Sequence, residues 1–447
     1  MSFWNGGRGS PASCAGTGGG EPGRTGAPGS RRAPEGVSSW PPRNAERWDE
    51  SVPDDATPWK RHFSDFGGKV YLDCAAQGPF PDETVAEVQR ALRLKEHPEE
   101  IVGSLYETLP GRAREAVARL LGCDPESIAL ASGASHGLNL AARCLPLKEG
   151  DEVLLAHGEF PANVYPWLNR ASDGVGVRLV KATGRRFVGE MDLIAAIAPN
   201  TRVISISHVA FATGYRADLR TLGEACHERG IFLVVDGAQS VGAVDFRVSD
   251  LPIDLLATSG DKWLLAPFGT GFTYVNPEVL DRLRVADVNW MNVEGSSNLN
   301  ELDGYSLRFR DGARRFDIPE AASFLNLAGF IASLSFLARV GVANVQAHVT
   351  HLHDVLIHGL GKTRLRVASD LATERRSGIL ALEGPSREET RLIYRRLRER
   401  GVVVSLRDNL IRVSPHLYNT RDQMEFLLDA AVGPPDHPGS GLARGET

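Results

Sequence analysis

Short apolar runs alternate with helix-like stretches along the middle of the chain. The runs include "SIALA", "DEVLLA", "VRLVKA", "RVISISHV", "IFLVVDGA", "DLLATS" and "GFTYV". Because they lack polar alternation, they predict strands that are buried on both faces of a sheet. Stretches with helical spacing, such as "SHGLNLAARCL" and "LRTLGEACHERG", separate several of them. This alternation predicts right-handed crossovers and a mostly parallel central sheet, an α/β fold.

Further elements flank this alternating region. Ahead of it, "KVYLDCAA" (Lys69–Ala76) predicts a short strand, and "PDETVAEVQRALRLKEH" and "RAREAVARLLG" predict two helices, the second ending at Gly122. Past about Leu325, a long apolar helix, "EAASFLNLAGFIASLSFLARVG", precedes short strands such as "GILALE", "GVVVSL" and "NLIRVS". This change predicts a smaller α+β domain that closes over the large one.

The pattern divides the chain into five parts. Residues 1–45 are rich in Gly, Pro and Arg, have too little apolar surface to fold, and predict a disordered tail. Residues 46–84 form an N-terminal segment expected to pack with the small domain. We expect a large cofactor-binding domain over 85–325, a small α+β domain over 326–432 and a flexible tail over 433–447.

The composition of the chain argues against several classes of function. The chain has 447 residues, of which 42% are hydrophobic and 24% charged, and its formal net charge is -6. This acidic balance argues against nucleic acid as a partner. No apolar run reaches the roughly 18 residues of a membrane span, so we expect no membrane partner. The five cysteines are scattered without C-x-x-C spacing, which indicates reduced thiols in a cytoplasmic protein.

One histidine-rich stretch raises the question of a metal. "HVTHLHDVLIH" contains His348, His351, His353 and His358, but no acid or cysteine stands nearby with ligand spacing. A solvated helix face is the favoured interpretation. We therefore expect no metal site.

Small polar residues follow the predicted strand "SIALA". The stretch "ALASGASHGLN" places Ser132, Gly133, Ala134 and Ser135 between that strand and a helix. Open parallel sheets bind ligands at this edge, and a helix N-terminus offers free N–H groups to a phosphate. Ordinary helix capping explains the same residues when they are taken alone.

Charged side chains end two later strands. Asp236 follows four apolar positions in "IFLVVDGAQS", and Lys262 stands in "TSGDKW" directly after another strand. An N-cap and a solvated loop lysine are the simpler alternatives, just as a core histidine is for His208 in "ISISHV". Together with the phosphate cradle, however, the acid and the lysine indicate pyridoxal phosphate. Its aldehyde needs a lysine for a Schiff base, and its pyridine nitrogen needs a carboxylate.

Seven motifs appear in order along the chain: "YLDCAAQGP", "SGASHGLN", "EFPANVYPW", "HVAFATGYRADL", "VVDGAQSVG", "SGDKWLLAPFGTG" and "IRVSPHLYNTRDQM". From about Val70 to Val432, the chain thereby resembles the class V, fold type I, pyridoxal phosphate enzymes. These include cysteine desulfurases, selenocysteine lyase, kynureninase and isopenicillin N epimerase-like proteins. The resemblance implies a fold type I transferase and a homodimer with the site at the subunit interface.

The resemblance also implies roles around the cofactor ring. Lys262 would form the Schiff base and carry protons at the substrate's Cα. Asp236 would pair with the pyridine nitrogen and Gln239 with the ring hydroxyl. Phe160 stands where relatives often have a histidine stacked on the ring, and an aromatic plane can still stack there.

Phosphate and substrate contacts follow from the same motifs. The backbone of Ala134 and the hydroxyls of Ser135 and Ser259 would hold the phosphate. Arg412 matches the arginine that binds the substrate carboxylate, for which a bidentate guanidinium is well suited.

Some positions depart from the family pattern. Desulfurases carry a mobile cysteine shortly before the last motif, whereas this chain has no cysteine after Cys226. Asp261 stands where desulfurase relatives often have a histidine, Phe211 replaces an asparagine, and Glu320 replaces a hydroxyl residue that reaches the partner's phosphate. An acid beside a phosphate would be repulsive.

We therefore expect an enzyme that acts on an amino acid or related primary amine. The missing cysteine favours the aminotransferase-like or epimerase-like branch, closer to the isopenicillin N epimerase-like members. A C–S lyase or desulfurase-like enzyme without the usual cysteine is the alternative. A non-catalytic member of the fold is a third possibility, which the presence of both Lys262 and Asp236 disfavours.

Overall fold

The computed structural model describes residues 58–182, 184–296 and 305–432. The predicted tails, 1–45 and 433–447, lie outside the described residues, as does the part of the N-terminal segment before residue 58. The predicted division at residue 325 between large and small domains stays a prediction.

The helices and strands alternate through the first two thirds of the described chain. The helices are α1 (Asp82–Glu96), α2 (Leu105–Leu121), α3 (Ala134–Cys144), α4 (Tyr165–Leu168), α5 (Glu190–Ala195), α6 (Leu219–His227), α7 (Phe324–Val340), α8 (Val342–Gly359), α9 (Arg387–Glu399) and α10 (Arg421–Val432). The strands are β1 (Val70–Tyr71), β2 (Ile128–Ala131), β3 (Glu152–Ala156), β4 (Gly176–Val180), β5 (Thr201–Ser207), β6 (Phe232–Asp236), β7 (Leu255–Ser259), β8 (Gly271–Val275), β9 (Arg366–Val367), β10 (Leu380–Glu383), β11 (Val402–Val403), β12 (Ser405–Arg407) and β13 (Leu410–Val413).

Seven strands form the central sheet in the order β2-β8-β7-β6-β5-β3-β4. The five strands from β7 to β4 in this order run parallel to one another, whereas β8 runs antiparallel to both of its neighbours, β2 and β7. All residues of β2, β6 and β8 are buried, as expected for strands covered on both faces. The predicted α/β fold with a mostly parallel sheet is therefore confirmed.

A second sheet lies in the C-terminal part, in the order β12-β13-β10-β9, and its strands are antiparallel. Its apolar residues share a core with helices α8, α9 and α10, through residues such as Leu356, Leu397 and Leu427. The predicted strand over Lys69–Ala76 is shorter than expected, because the Ala76 N–H donates to the Asp73 carbonyl at 2.9 Å and turns the chain. The two remaining strands, β1 and β11, pair in parallel with each other.

The histidine-rich helix α8 is not the solvated face that the sequence suggested. His348 is 1% exposed and His353 is 2% exposed. Helix α8 packs against two cores, the main one through Val345 and Val349 and the C-terminal one through Leu352 and Leu356. Within the described ranges, no group of three or more His, Cys, Asp or Glu side chains is placed to hold a metal ion.

Helix α7 is the most apolar helix. In the described part of the chain, no single helix is long and apolar enough to cross a membrane. Among the described residues, α7 and the following segment Val342–Lys362 are long and apolar enough when taken together, but this pair is bent by 74°.

Candidate active site

The site lies where the central strands end. The β6–β7 register pairs Asp236 with Ala257, and the β7–β8 register pairs Ser259 with Gly271. The ends of three neighbouring strands are thereby brought to one edge of the sheet. Helix α3 begins at the same edge, directly after β2.

Glycines let helix α3 begin close to β7 and β8. Gly133, the residue before α3, has φ 151° and ψ 178°, a conformation that is essentially restricted to glycine. A Cβ on Gly133 would lie 3.1 Å from the Ser259 Oγ, and a Cβ on Gly271 would lie 2.7 Å from the Gly133 Cα. The Ala134 N–H donates to the Ser259 Oγ at 3.0 Å. Ser135 follows on the exposed side of the first turn. Backbone N–H groups and hydroxyls therefore cluster at the positive end of α3.

Lys262 follows β7 and is largely enclosed. Its Nζ lies 5.6 Å from the centroid of the Phe160 ring. Burial lowers the pKa of Lys262, with Arg412 acting in the same direction, while the charges of Asp236 and Asp261 oppose this shift. The neutral amine, which is the nucleophilic form, is therefore favoured relative to an exposed lysine.

Asp236 ends β6 and is 5% exposed. Its Oδ1 accepts from the Ala238 N–H at 2.9 Å. Burial raises the pKa of Asp236, while the charge of Lys262 and the Ala238 hydrogen bond lower it. A buried carboxylate is suited to bind a cation, because the attraction to a charged partner offsets part of the free energy that removing the carboxylate from water costs.

Both the nitrogen and the oxygen of the Gln239 side-chain amide are hydrogen-bonded. Its Nε2 donates to the Ala75 carbonyl at 2.9 Å, and its Oε1 accepts from the Trp263 indole at 2.8 Å. An amide nitrogen carries two hydrogens, so the Nε2 can donate to one more acceptor. Because Trp263 follows Lys262 directly, Gln239 also links the end of β6 to the lysine turn.

Two aromatic rings form one wall of the site. Phe160 and Phe211 meet edge to face, with ring centroids 5.4 Å apart and an interplanar angle of 74°. Phe160 is 43% exposed, so its ring face is open to a ligand. The Phe211 carbonyl accepts from the Arg412 Nη1 at 3.0 Å, which joins this wall to β13.

Arg412 is 2% exposed, on the middle of β13. Its Nη2 donates to the Asp73 Oδ1 at 3.3 Å. Burial lowers the pKa of Arg412, and the charge of Asp73 is the largest opposing influence. Asp73 was not among the predicted site residues, although it lies in the motif "YLDCAAQGP".

The departing residues Asp261 and Glu320 have identifiable neighbours. The Asp261 Oδ2 accepts from the Gln77 Nε2 at 3.1 Å, and its carbonyl accepts from the Gly78 N–H at 2.8 Å. The Glu320 Oε1 accepts from the Trp290 indole at 3.2 Å. Each carboxylate thus has a hydrogen-bond donor of its own.

A second carboxyl was also missed, that of the partly buried Glu159. It accepts from the Ser207 N–H at 2.8 Å and from the Asn163 Nδ2 at 3.1 Å, and it bonds the Ser207 hydroxyl. Burial raises the pKa of Glu159 to about 7, and these hydrogen bonds oppose the shift. Its place directly before Phe160 in "EFPAN" was the available signal.

Comparison with known proteins agrees with this geometry. A family model described as Aminotransferase class-V matches residues 70–427. Isopenicillin N epimerase from Streptomyces clavuligerus is 30% identical over 379 residues, which cover 81% of this chain and 94% of that protein. A probable cysteine desulfurase from Methanothermobacter thermautotrophicus is 31% identical over 288 residues, which cover 62% of this chain and 69% of that protein.

Solved structures share the fold. The complex of the cystine C-S lyase C-DES with its reaction product cysteine persulfide superimposes with a TM-score of 0.74 at 22% identity, covering 82% of this chain and 99% of that chain. The apo cysteine desulfurase from Thermococcus onnurineus NA1 superimposes with a TM-score of 0.73 at 21% identity, covering 85% of this chain and 97% of that chain. At these identities, the likeness shows the architecture alone.

Proposed function

The chain belongs to the class V aminotransferase family, and we propose that it acts at the Cα of an amino acid through Lys262. The family membership confirms the enzyme class, the fold type and the pyridoxal phosphate cofactor that the motifs implied. The roles of individual residues and the choice of reaction are our proposals.

The residues at the strand ends suit this cofactor chemically. Asp236 is a buried carboxylate whose Oδ1 is bonded to a backbone N–H, and it would hold a protonated ring nitrogen. The second Nε2 hydrogen of Gln239 would reach the ring hydroxyl. The N–H groups at the start of α3, with the hydroxyls of Ser135 and Ser259, would hold the phosphate. Phe160 offers its open face to the ring.

Lys262 has two tasks in this proposal. When bound, pyridoxal phosphate draws electrons away from the substrate's Cα. Lys262 would bind the cofactor's aldehyde in the resting enzyme. Once a substrate amine had replaced it, its neutral amine would remove the Cα proton and its ammonium form would return that proton. The position of Lys262 carries this proposal: it follows β7 at the edge of the sheet, with its Nζ 5.6 Å from the centroid of the Phe160 ring. Burial lowers the pKa of Lys262, which favours the neutral amine that binds an aldehyde and removes a proton.

Arg412 would orient the substrate. A guanidinium binds a carboxylate through two parallel hydrogen bonds, which fixes the substrate relative to Lys262. The position of Arg412 supports this role. Its Nη1 donates to the Phe211 carbonyl, and the Phe211 ring meets the Phe160 ring. The Lys262 Nζ lies 5.6 Å from the centroid of that Phe160 ring.

We favour aminotransferase-like or epimerase-like chemistry over sulfur transfer. Transfer of sulfur onto the enzyme needs a thiol nucleophile, and the chain has no cysteine after Cys226. The cysteine nearest to the lysine in the described residues, Cys74, donates to the Lys262 carbonyl, and burial strongly raises its pKa. A buried, protonated thiol is a poor nucleophile.

Proton exchange at Cα tests the proposal. The holoenzyme is incubated with single amino acids in deuterated water, and loss of the Cα proton is followed by NMR. We expect exchange with the wild type and with Lys95→Ala, which removes an exposed lysine on α1, and none with Lys262→Ala. Exchange retained by Lys262→Ala would refute the role given to this lysine. Sulfide release from cysteine or cystine would favour the lyase alternative.

We also propose a homodimer that works in the cytoplasm. The four cysteines in the described ranges, Cys74, Cys123, Cys144 and Cys226, are free thiols, which supports a reducing compartment. Light scattering on the purified protein tests the assembly, and a mass of one chain would contradict it.

A further inference from the structure

We propose that Asp73 is a positioning residue that holds Arg412 in place and limits how tightly it binds a carboxylate. The inference rests on the proposed role of Arg412. It concerns a residue that does not itself touch the substrate, so its effect is exerted through the guanidinium.

Two side chains from neighbouring strands converge on Asp73. The Arg412 Nη2 donates to its Oδ1 at 3.3 Å, and the Ser405 hydroxyl donates to its Oδ2 at 2.6 Å. Ser405 and Arg412 are directly opposite each other in the β12–β13 register. Asp73 therefore bridges a cross-strand pair, and its carboxylate is shared between an uncharged donor and a charged one.

The backbone of Asp73 is fixed independently. It forms a parallel bridge with Ser414, and its carbonyl accepts from the Ala76 N–H at 2.9 Å and from the Tyr71 hydroxyl at 3.3 Å. The carboxylate consequently cannot follow the guanidinium if Arg412 moves. A fixed acceptor of this kind selects one position for a long side chain that would otherwise sample many.

The pairing of Arg412 with Asp73 is incomplete. The 3.3 Å bond is single and longer than the usual 2.7–2.9 Å of a charged pair. The Nη1 donates to the Phe211 carbonyl, and the buried Nε has no hydrogen-bond partner among the described residues. A guanidinium has five N–H groups, so donors remain for a second carboxylate.

A substrate carboxylate must therefore bind Arg412 beside an existing negative charge. Repulsion between the two carboxylates weakens substrate binding, while the fixed guanidinium holds the bound carboxylate in one orientation. Asp73 thus lowers the affinity for substrate and product alike, which favours release of the product.

Two substitutions should shift the affinity in opposite directions. Asp73→Asn keeps the shape and an acceptor for Nη2 but removes the charge, so carboxylate binding should become about tenfold tighter. Ser405→Ala frees the Oδ2 to interact with Arg412, so binding should become roughly threefold weaker. A merely structural role would lower the stability of both variants and leave both affinities unchanged.

Acetate is the probe, because it has no amine and cannot react with the cofactor. Its dissociation constant is measured directly on the holoenzyme by isothermal titration calorimetry, which does not depend on Cα exchange. The kinetic measurement uses an amino acid that shows Cα exchange. The KM of that amino acid should fall with Asp73→Asn, while kcat does not rise. Unchanged or weaker acetate binding by Asp73→Asn would overturn the inference, and so would tighter binding by Ser405→Ala.

Control variants separate this inference from the proposed function. Glu383→Gln makes the same change of charge on β10, where Glu383 pairs with Arg186 and Arg366, and it should leave acetate binding unchanged. Arg412→Ala should abolish acetate binding. If acetate bound equally to the wild type and to Arg412→Ala, the carboxylate role of Arg412 would be wrong, and the inference would fall with it. The exchange assay on Lys262 would stand apart from that result.

Discussion

Gly133→Ala offers a sharp test of the phosphate cradle. Gly133 has a backbone conformation that is strained for any other residue, which costs about 1–3 kcal/mol of folding free energy. The added Cβ would also lie 3.1 Å from the Ser259 Oγ, closer than ordinary contact. Either the Ser259 hydroxyl or the first turn of α3 must move, and both belong to the proposed phosphate site.

The expected loss of cofactor affinity follows from one misplaced donor. A hydrogen bond to a charged group contributes about 1.5–3 kcal/mol. Losing one such bond to the phosphate should raise the dissociation constant of pyridoxal phosphate about 10- to 150-fold. The assay is a titration of the apoenzyme with the cofactor, followed by absorbance, beside urea unfolding of the same apoenzyme.

Gly150→Ala is the matched control. Gly150 also has a positive φ, 85°, but a Cβ there would meet no atom within 4 Å. This variant should lose about 1 kcal/mol of stability and bind the cofactor as the wild type does. The proposed phosphate site would be wrong if the dissociation constant of Gly133→Ala for the cofactor were within twofold of the wild-type value. It would also be wrong if both variants lost affinity for the cofactor to the same extent.

Two further predictions concern the surroundings of the site. Burial raises the pKa of Glu159 from an ordinary 4.5 to about 7. The protonated side chain therefore stabilises the folded state fully below pH about 4.5, and this stabilisation is lost as the pH rises through 7. The loss amounts to up to about 3 kcal/mol, and Glu159→Gln should abolish it when the free energy of unfolding is measured in urea at a series of pH values. The shift would be contradicted if the free energy of unfolding of the variant fell between pH 4.5 and 7 as steeply as that of the wild type. Gly378→Ala would place a Cβ 2.3 Å from the Trp263 Cη2, so the melting temperature should fall by an amount equivalent to about 1–3 kcal/mol. Gly361→Ala, where a Cβ meets nothing within 4 Å, is its control, and equal melting temperatures for the two variants would refute the contact.

The sequence was most informative where local pattern determines structure. The strands of the central sheet were predictable, because a strand that is buried on both faces must be apolar throughout, as in β6. The motif residues at the ends of β6 and β7 were predictable for a related reason. Polar residues that interrupt such runs need a function or a partner.

Contacts between distant segments were not predictable in the same way. Asp73 and Arg412 are 339 positions apart, and they are brought together by the β1–β11 pairing and by the bridge between Asp73 and Ser414. The burial of His348 was missed because α8 packs its histidines into a core that the helix sequence does not reveal. The orientation of β8, antiparallel in a mostly parallel sheet, likewise depends on its chain connection and not on its composition.

The pairing of β1 with β11 has a consequence for synthesis of the chain. Val70 meets Val402 there, so one of the earliest described segments is completed by one of the last. Domains fold as they leave the ribosome, and contacts between distant residues form late. The central sheet can assemble once residue 275 has emerged, but the turn that carries Asp73 has no strand partner until β11 and β13 exist. With the roles proposed above, the guanidinium of Arg412 is therefore held in place last, after the edge of the sheet that carries Asp236 and Lys262 has formed.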